Sequence, residues 1–375
     1  MPAAARPVLA AALLAAERPG DDPASEDTAA LLERINAVRE AAGVERLQSD
    51  PRLARAARAH STYLASSGAV SHRESDARQP EFSGDTPARR IAREGVVAAS
   101  SGELVHRGEA RAAREGAAAD LFVSAVFHRF TLLRPDLETV GAGQLVRGEE
   151  SILTIDLAGR HPVPTTDDPP LIVWPAHQAA GIPSAVDTDS EDPDPLPDQN
   201  KAGYPVSVQV EPGHDLRVRR LEIRPRGGVA PIDTLIINHA LDRRVPEWAV
   251  FAIARRPLIA GLEYEVNFEG TVDGARRSMR WVFRTAPISL RASREVLRAG
   301  ERVDFAITGI DPSEAYVVCV SDRTALTGLR FGAPGRFSME GAAACGAASC
   351  GVEVRIAYER GCAVPLAGIL LELHP

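Results

Sequence analysis

Around residue 160 the hydrophobic pattern of this chain changes period. Upstream, apolar side chains recur at the spacing of an amphipathic helix; downstream of residue 204 they alternate, the pattern of half-buried strands. The stretch between, with "HPVPTTDDPP" and "SEDPDPLPDQNKAGYP", is dense in proline and aspartate, which disfavour helix interiors and sheet ladders alike. A helical layer and a set of alternating strands need different partners to bury their apolar faces, so the chain reads as α+β with separate domains. Its 375 residues suffice for two or three of them.

Four helices are expected upstream. Leu31, Leu32, Ile35 and Val38 share a face over residues 27–43, with Asp27 or Thr28 to cap the start and Gly43 to end it. "SDPRLARAARAHSTYLASSG" is the stronger signal: Asp50 as N-cap, Pro51 where its missing N–H costs nothing, and Gly68 as terminator. Leu53, Ala57, His60 and Leu64 lie on one face, which makes His60 a buried structural histidine. "DTPARRIAREG" repeats that grammar, and a fourth helix is expected from about Glu109 to His128. "ETVGAGQLV" and "SILTIDLA" around "RGEE" then read as a hairpin.

Residues 204–286 hold short alternating runs such as "VSVQVEP", "WAVFAIA" and "EYEVNFEGTV", which indicate a β-sandwich. "PLIAGLEYEV" resembles the fibronectin-type and immunoglobulin-like pattern, in which a tyrosine, here Tyr264, closes a corner by hydrogen-bonding backward. Residues 287–375 form a second β-module with all four cysteines, Cys319, Cys345, Cys350 and Cys362. An even number in one β-rich segment reads as two disulfides made in an oxidising compartment, with three pairings open. Zinc is the competing reading, but the Cys345 to Cys350 spacing is longer than the usual knuckle.

A formal net charge of −8, a pI of about 5.7, few aromatics and no basic run leave no electrostatic footprint for nucleic acid. "RPVLAAALLAAERPGDD" puts Arg6 before a short apolar run, as in a signal peptide; the run is too short to span a bilayer as a helix, so no transmembrane span is expected in the mature protein. The expected division is therefore a signal peptide and flexible leader over 1–26, a helical first domain over 27–160, a semi-rigid linker over 161–203, and β-modules over 204–286 and 287–375.

Several fragments of the first domain combine: Asn36, Ala37 and Arg39 on the first helix; "AHS" at residues 59–61 on the second; Ser71–His72; "SGEL" at 101–104; "SAVFHRFTLL" at 124–133; and "VGAG" at 140–143. In this order they resemble the CAP superfamily, the SCP domain of cysteine-rich secretory, antigen-five and pathogenesis-related proteins, in its bacterial branch, over about residues 28–160. The resemblance implies an N-terminal α-β-α sandwich, followed here by two β-sandwich-like modules. It also makes His72, Glu103 and His128 residues of the family's central cleft. Two imidazoles and a carboxylate suit zinc or a similar divalent cation with one water position open, so the same three are the candidate metal ligands. The sequence departs from the family where Leu104 replaces the asparagine that usually follows the Gly-Glu pair. Glu109 and Glu115 are the candidates for the second glutamate of the fuller set.

Three functions follow from these expectations. The first is a secreted or cell-envelope binding module that takes a lipid or other envelope ligand, as the resemblance implies for parts of the family. The second is a hydrolase in the same cleft, using metal-activated water or Ser71 or Ser124 beside a histidine. The third is a structural or adhesive envelope protein. No HExxH, GxSxG or catalytic-cysteine context supports the second.

Overall fold

The structure, a computed structural model, describes residues 23–109, 117–309, 316–332, 335–342, 349–357 and 367–374. Residues 1–22 of the expected signal peptide and leader, Glu115, Cys345 and Cys362 lie outside these residues, whereas residues 23–26, expected as leader, already belong to the first helix.

The first domain is a four-stranded sheet between helices. Its strands are β1 (Gln48–Ser49), β2 (Ser100–Glu109), β3 (Thr139–Arg147) and β4 (Glu150–Gly159), in the order β1-β3-β4-β2. The helices are α1 (Pro23–Ala41), α2 (Pro51–Ser67), α3 (Pro87–Arg93), α4 (Ala117–Ser124) and α5 (Val126–Leu132). β4 is buried on both faces, as its nearly continuous apolar run requires. Ile152 packs with Tyr63 and Leu64 of α2, and Ala158 with Leu53 and Ala56; on the other face Leu153, Ile155 and Leu157 join Ile35 and Val38 of α1 and Phe122 of α4. This is the α-β-α sandwich expected. "VGAG" is there because α2 lies directly on β3: a Cβ on Gly141 would stand 2.0 Å from the Ala54 nitrogen, and one on Gly143 2.1 Å from that of Arg58.

The caps of α2 form as read, with Asp50 accepting from the Arg52 N–H and Gly68 left-handed at φ 74°. The helix expected from Glu109 to His128 is not continuous. β2 runs through Glu109, and α4 and α5 are broken at Ala125, whose ψ of 116° is extended. The break has a cause outside the domain. Glu191 accepts from the backbone N–H groups of Val126 (2.7 Å), Phe127 (2.6 Å) and His128 (3.1 Å), which starts a new helix, while Arg129 Nε takes the Val123 carbonyl (2.6 Å).

Residues 161–203 are not a linker. They contribute β5 (Ile172–Trp174), β6 (Ala179–Ile182), β7 (Ala185–Asp187) and β8 (Lys201–Gly203), and each proline of the stretch falls outside these strands, where no ladder donor is needed. β5 and β6 are edge strands of a sandwich completed by β9 (Val206–Gln209), β10 (Leu216–Pro225), β11 (Thr234–Asn238), β12 (Ala249–Ala254), β13 (Glu263–Val272) and β14 (Ala275–Thr285). One sheet runs β10-β13-β14-β6 and the other β11-β12-β9-β5. Tyr264 makes its corner, its hydroxyl accepting from the Ile259 N–H at 2.7 Å. β12 is buried at every residue: Val250, Ala252 and Ala254 face the other sheet, while Ala249, Phe251 and Ile253 pack against Val126 and Phe130 of α5. The first domain and this module therefore share a continuous apolar interior.

The tail has its own core, built around Leu297, Phe305, Phe337, Val352 and Leu371 between two four-stranded sheets. Among the described residues no cysteine is free, and no helix is long and apolar enough to cross a membrane.

Candidate functional site

The loop after α2 folds back on edge strand β2 and brings His72 Nδ1 to 2.8 Å from Glu103 Oε1; the imidazole is half exposed and the carboxylate buried. The other Glu103 oxygen pairs with Arg90 of α3, a buried guanidinium that also donates to the carbonyls of His72 (3.1 Å) and Gly84 (3.0 Å). His60, buried as expected, places Nδ1 3.0 Å from Glu74 and Nε2 2.8 Å from the Ser71 carbonyl oxygen. Glu74 further accepts from the Ser83 N–H (2.6 Å), the Ser83 hydroxyl (2.8 Å) and the Gly84 N–H (3.0 Å). The network thus staples the irregular loop 71–84 to the sheet.

Burial alone would push the Glu103 carboxyl up, but the His72 hydrogen bond, the Arg90 guanidinium and the neighbouring His60 hold it below the usual carboxylate range. Its cross-strand neighbour is Asp156, fully buried, with neither carboxyl oxygen hydrogen-bonded. Burial, and then the charge of Glu103, raise Asp156 well above an ordinary aspartate. The two neighbouring carboxyls are thus shifted in opposite directions.

His128 does not join this group. Alternation along β2 sends Glu103 and Val105 toward α2, and Leu104 and His106 to the opposite face. His128 belongs to that opposite face: its ring centroid lies 5.3 Å from Phe122, which is 6.2 Å from His106. The expected convergence of His72, Glu103 and His128 is thus divided by the sheet, and among the described residues no three His, Cys, Asp or Glu side chains are placed to hold a metal ion. The serines expected as nucleophiles are not activated either. Ser71 Oγ accepts from the Arg73 N–H (3.0 Å), and no hydrogen bond among the described residues joins a hydroxyl of Ser71 or Ser124 to an imidazole.

His128 instead lines a cavity of about 370 Å³ at the seam between the first domain and the sandwich, with His106, Phe122, Val186, Glu191 and Ile253. Its Nδ1 lies 3.3 Å from Glu191 Oε1. Burial, and then His128, lower the His106 pKa. The seam is fastened by the arginine that follows His128. Arg129 is fully buried; it donates to the carbonyls of Val123 and Pro205 (2.8 Å for the latter) and to Ser207 Oγ (3.2 Å), and lies 5.1 Å over the Tyr204 ring. Burial lowers its pKa, and Tyr204 and Glu191 oppose that. His106, Arg129 and Glu191 were not singled out from sequence. The available signal was "AVFAIA": a strand with no polar alternation, in an antiparallel sheet, needs a cover on both faces.

Residues 32–150 match the family model of the cysteine-rich secretory protein family, CAP. That segment, about a third of the chain, is similar to this family. Among solved structures, the chain is similar to an extracellular protein containing an SCP domain from Bacillus anthracis, at 19% identity over 36% of this chain and 41% of that one, with a TM-score of 0.31. It is also similar to an outer surface protein from Borrelia burgdorferi (18%, 37% and 97%, TM-score 0.32) and a cysteine-rich secretory protein from Staphylococcus aureus (21%, 38% and 42%, TM-score 0.27). The chain spans about two fifths of the length of the first and third of these. No curated protein matches it.

Proposed function

We propose that the chain is an exported, non-catalytic binding protein of the cell envelope, and that its CAP domain takes a lipid or other envelope-derived small molecule at the seam cavity. The observation that carries this reading is the cavity itself: apolar walls with two imidazoles, about 370 Å³, at the small end of the ~300–1,000 Å³ usual for ligand pockets. The spent carboxylates and unactivated serines of the His72 network support binding over hydrolysis. The apolar leader and two disulfides among Cys319, Cys345, Cys350 and Cys362 belong to the same proposal, with the sandwich as an immunoglobulin-like spacer.

Native mass spectrometry tests it. The full chain, incubated with an envelope extract of a producing cell, should gain the mass of a bound small molecule, and alkylation of native material should find no free thiol. A chain that retains no component of the extract would end the binding reading.

A further inference from the structure

We infer that the seam cavity is one half of a longer groove between the two domains, and that its ligand is chain-shaped: a single unbranched aliphatic chain lying lengthwise along residues 179–188. The inference rests on the binding reading above and adds the shape of the ligand and the second half of its seat.

A second cavity, of about 310 Å³, lies beside the first. Three segments of the chain line both: residues 120–126 of α4 and the break after it, residues 179–188, and the neighbours Tyr204 and Pro205. Ser124, from the first domain, and Pro183, from the segment that leads into the sandwich, border the two cavities together. The cavities therefore stand end to end between the same walls, with Ser124 and Pro183 at the junction. The segment 179–188 sets the shape of the whole. Residues 179–182 line the second cavity and Pro183 both, while residues 185–188 line the first, so the two seats follow one another along β6 and β7. A seat laid out along a strand is long for its width, and a linear chain fills it where a compact body does not.

The walls of the second cavity suit an aliphatic chain. α1 contributes Ala37 and Ala41, and β6 contributes Ala179, Ala180 and Gly181, none with a side chain beyond Cβ, so a ligand can approach both elements closely. Trp174 and Tyr204 line it as well. The Trp174 indole N–H donates to the Tyr204 hydroxyl at 2.9 Å, and that hydroxyl donates to the Val123 carbonyl at 3.4 Å, so the two rings offer apolar surface with their polar ends already bonded. Arg34 and Asp120 pair with each other at 2.9 Å and are both more than half exposed, which places their charges on the solvent side. An aliphatic chain is held by the area it buries, about fourfold in affinity for each methylene. A two-part seat therefore has a signature that one small pocket lacks: affinity keeps rising with chain length until both parts are full.

Calorimetry on the full chain with octyl, decyl, dodecyl and tetradecyl maltosides, each below its critical micelle concentration, reads that signature with the head group held constant. Tetradecyl maltoside should bind at least about a hundredfold more tightly than octyl maltoside. Ser124→Leu, which plugs the junction, should cut that ratio below about tenfold. Ala37→Leu and Ala180→Leu narrow the second cavity from opposite walls at exposed positions, so the core is untouched, and each should weaken tetradecyl maltoside at least about tenfold. His72→Gln, across the sheet, should change no affinity. A wild-type ratio below about tenfold, or binding of no maltoside, overturns the inference. Tetradecyl affinity that survives Ser124→Leu, Ala37→Leu and Ala180→Leu alike also overturns it, because the second cavity is then no part of the seat. These failures are distinct from failure of the binding reading, which falls only if the envelope extract yields no bound molecule.

Discussion

The clusters around Glu103 and Glu191 approach strand β2 from opposite faces, and each combines a buried carboxylate, a buried arginine and two histidines. They differ in how the charges are paired. In the first, Arg90 and His72 meet Glu103 directly, His60 bonds to the neighbouring Glu74, and all the partners lie within the first domain. In the second, arginine and carboxylate are not bonded to each other. Arg129 spends its donors on carbonyls and a hydroxyl, and Glu191 spends its oxygens on helix amides. That arrangement joins two domains through backbone groups and sets His128, 3.3 Å from Glu191, and His106 beside a cavity. Direct ion pairing gives a closed staple within one domain; pairing through the backbone gives a joint between two.

The comparison breaks most easily at Glu103. Glu103→Ala removes the carboxylate hydrogen-bonded to the buried Arg90 guanidinium and leaves it Glu74 at 3.9 Å; removing one member of a buried pair typically costs about 3–5 kcal/mol. Urea denaturation followed by far-ultraviolet circular dichroism should show a loss of that order; a loss below about 1 kcal/mol would mean that Glu103 is no staple. Arg129→Met tests the second cluster. The substitution keeps much of the buried stem but strands the Pro205 carbonyl and leaves the Val123 carbonyl a 3.4 Å bond from the Tyr204 hydroxyl, at about 1–3 kcal/mol for a group left unsatisfied. It should also expose the 185–200 segment to proteases sooner than Glu103→Ala does. Equal protection in the two variants would show that Arg129 does not fasten the seam.

The helical domain was readable because its signals are local. Asp50, Pro51 and Gly68 act within a turn of their own helix, and the order of Asn36, Ser71–His72, Gly102–Glu103 and His128–Arg129 carries the CAP pattern. The β2 strand was missed because "SGELVHRGE" buries Glu103 on one face and half-buries His106 on the other, so its alternation is not apolar against polar. The proline-rich stretch was misread because composition reports where ladders are interrupted and not where three-residue strands fit between the interruptions. The seam was illegible for a different reason. Glu191 starts α5 from 65 residues away and Arg129 reaches across 76 residues to Pro205, distances that no local pattern encodes.

The effect expected at Asp156 is the smallest near pH 4, and its value lies in its sign. Glu103, held below its ordinary value, contributes stability above that value and loses it as pH falls. Asp156 is shifted the other way: with its native value raised, its contribution is complete below the ordinary aspartate value and is lost as pH rises through the raised one. Asp156→Asn keeps the shape of the protonated acid and cannot ionise, so it removes this dependence. Near pH 4 the variant should match the wild type within about 1 kcal/mol, and at pH 5 its advantage should not exceed about 2 kcal/mol, since each pH unit above the unfolded value contributes at most about 1.4 kcal/mol. The advantage should grow with pH until the native value is passed. Urea midpoints for both proteins between about pH 4 and pH 8 provide the check. Parallel curves would show that Asp156 is already ionised beside Glu103, and the first cluster would then carry an unpaired charge of its own.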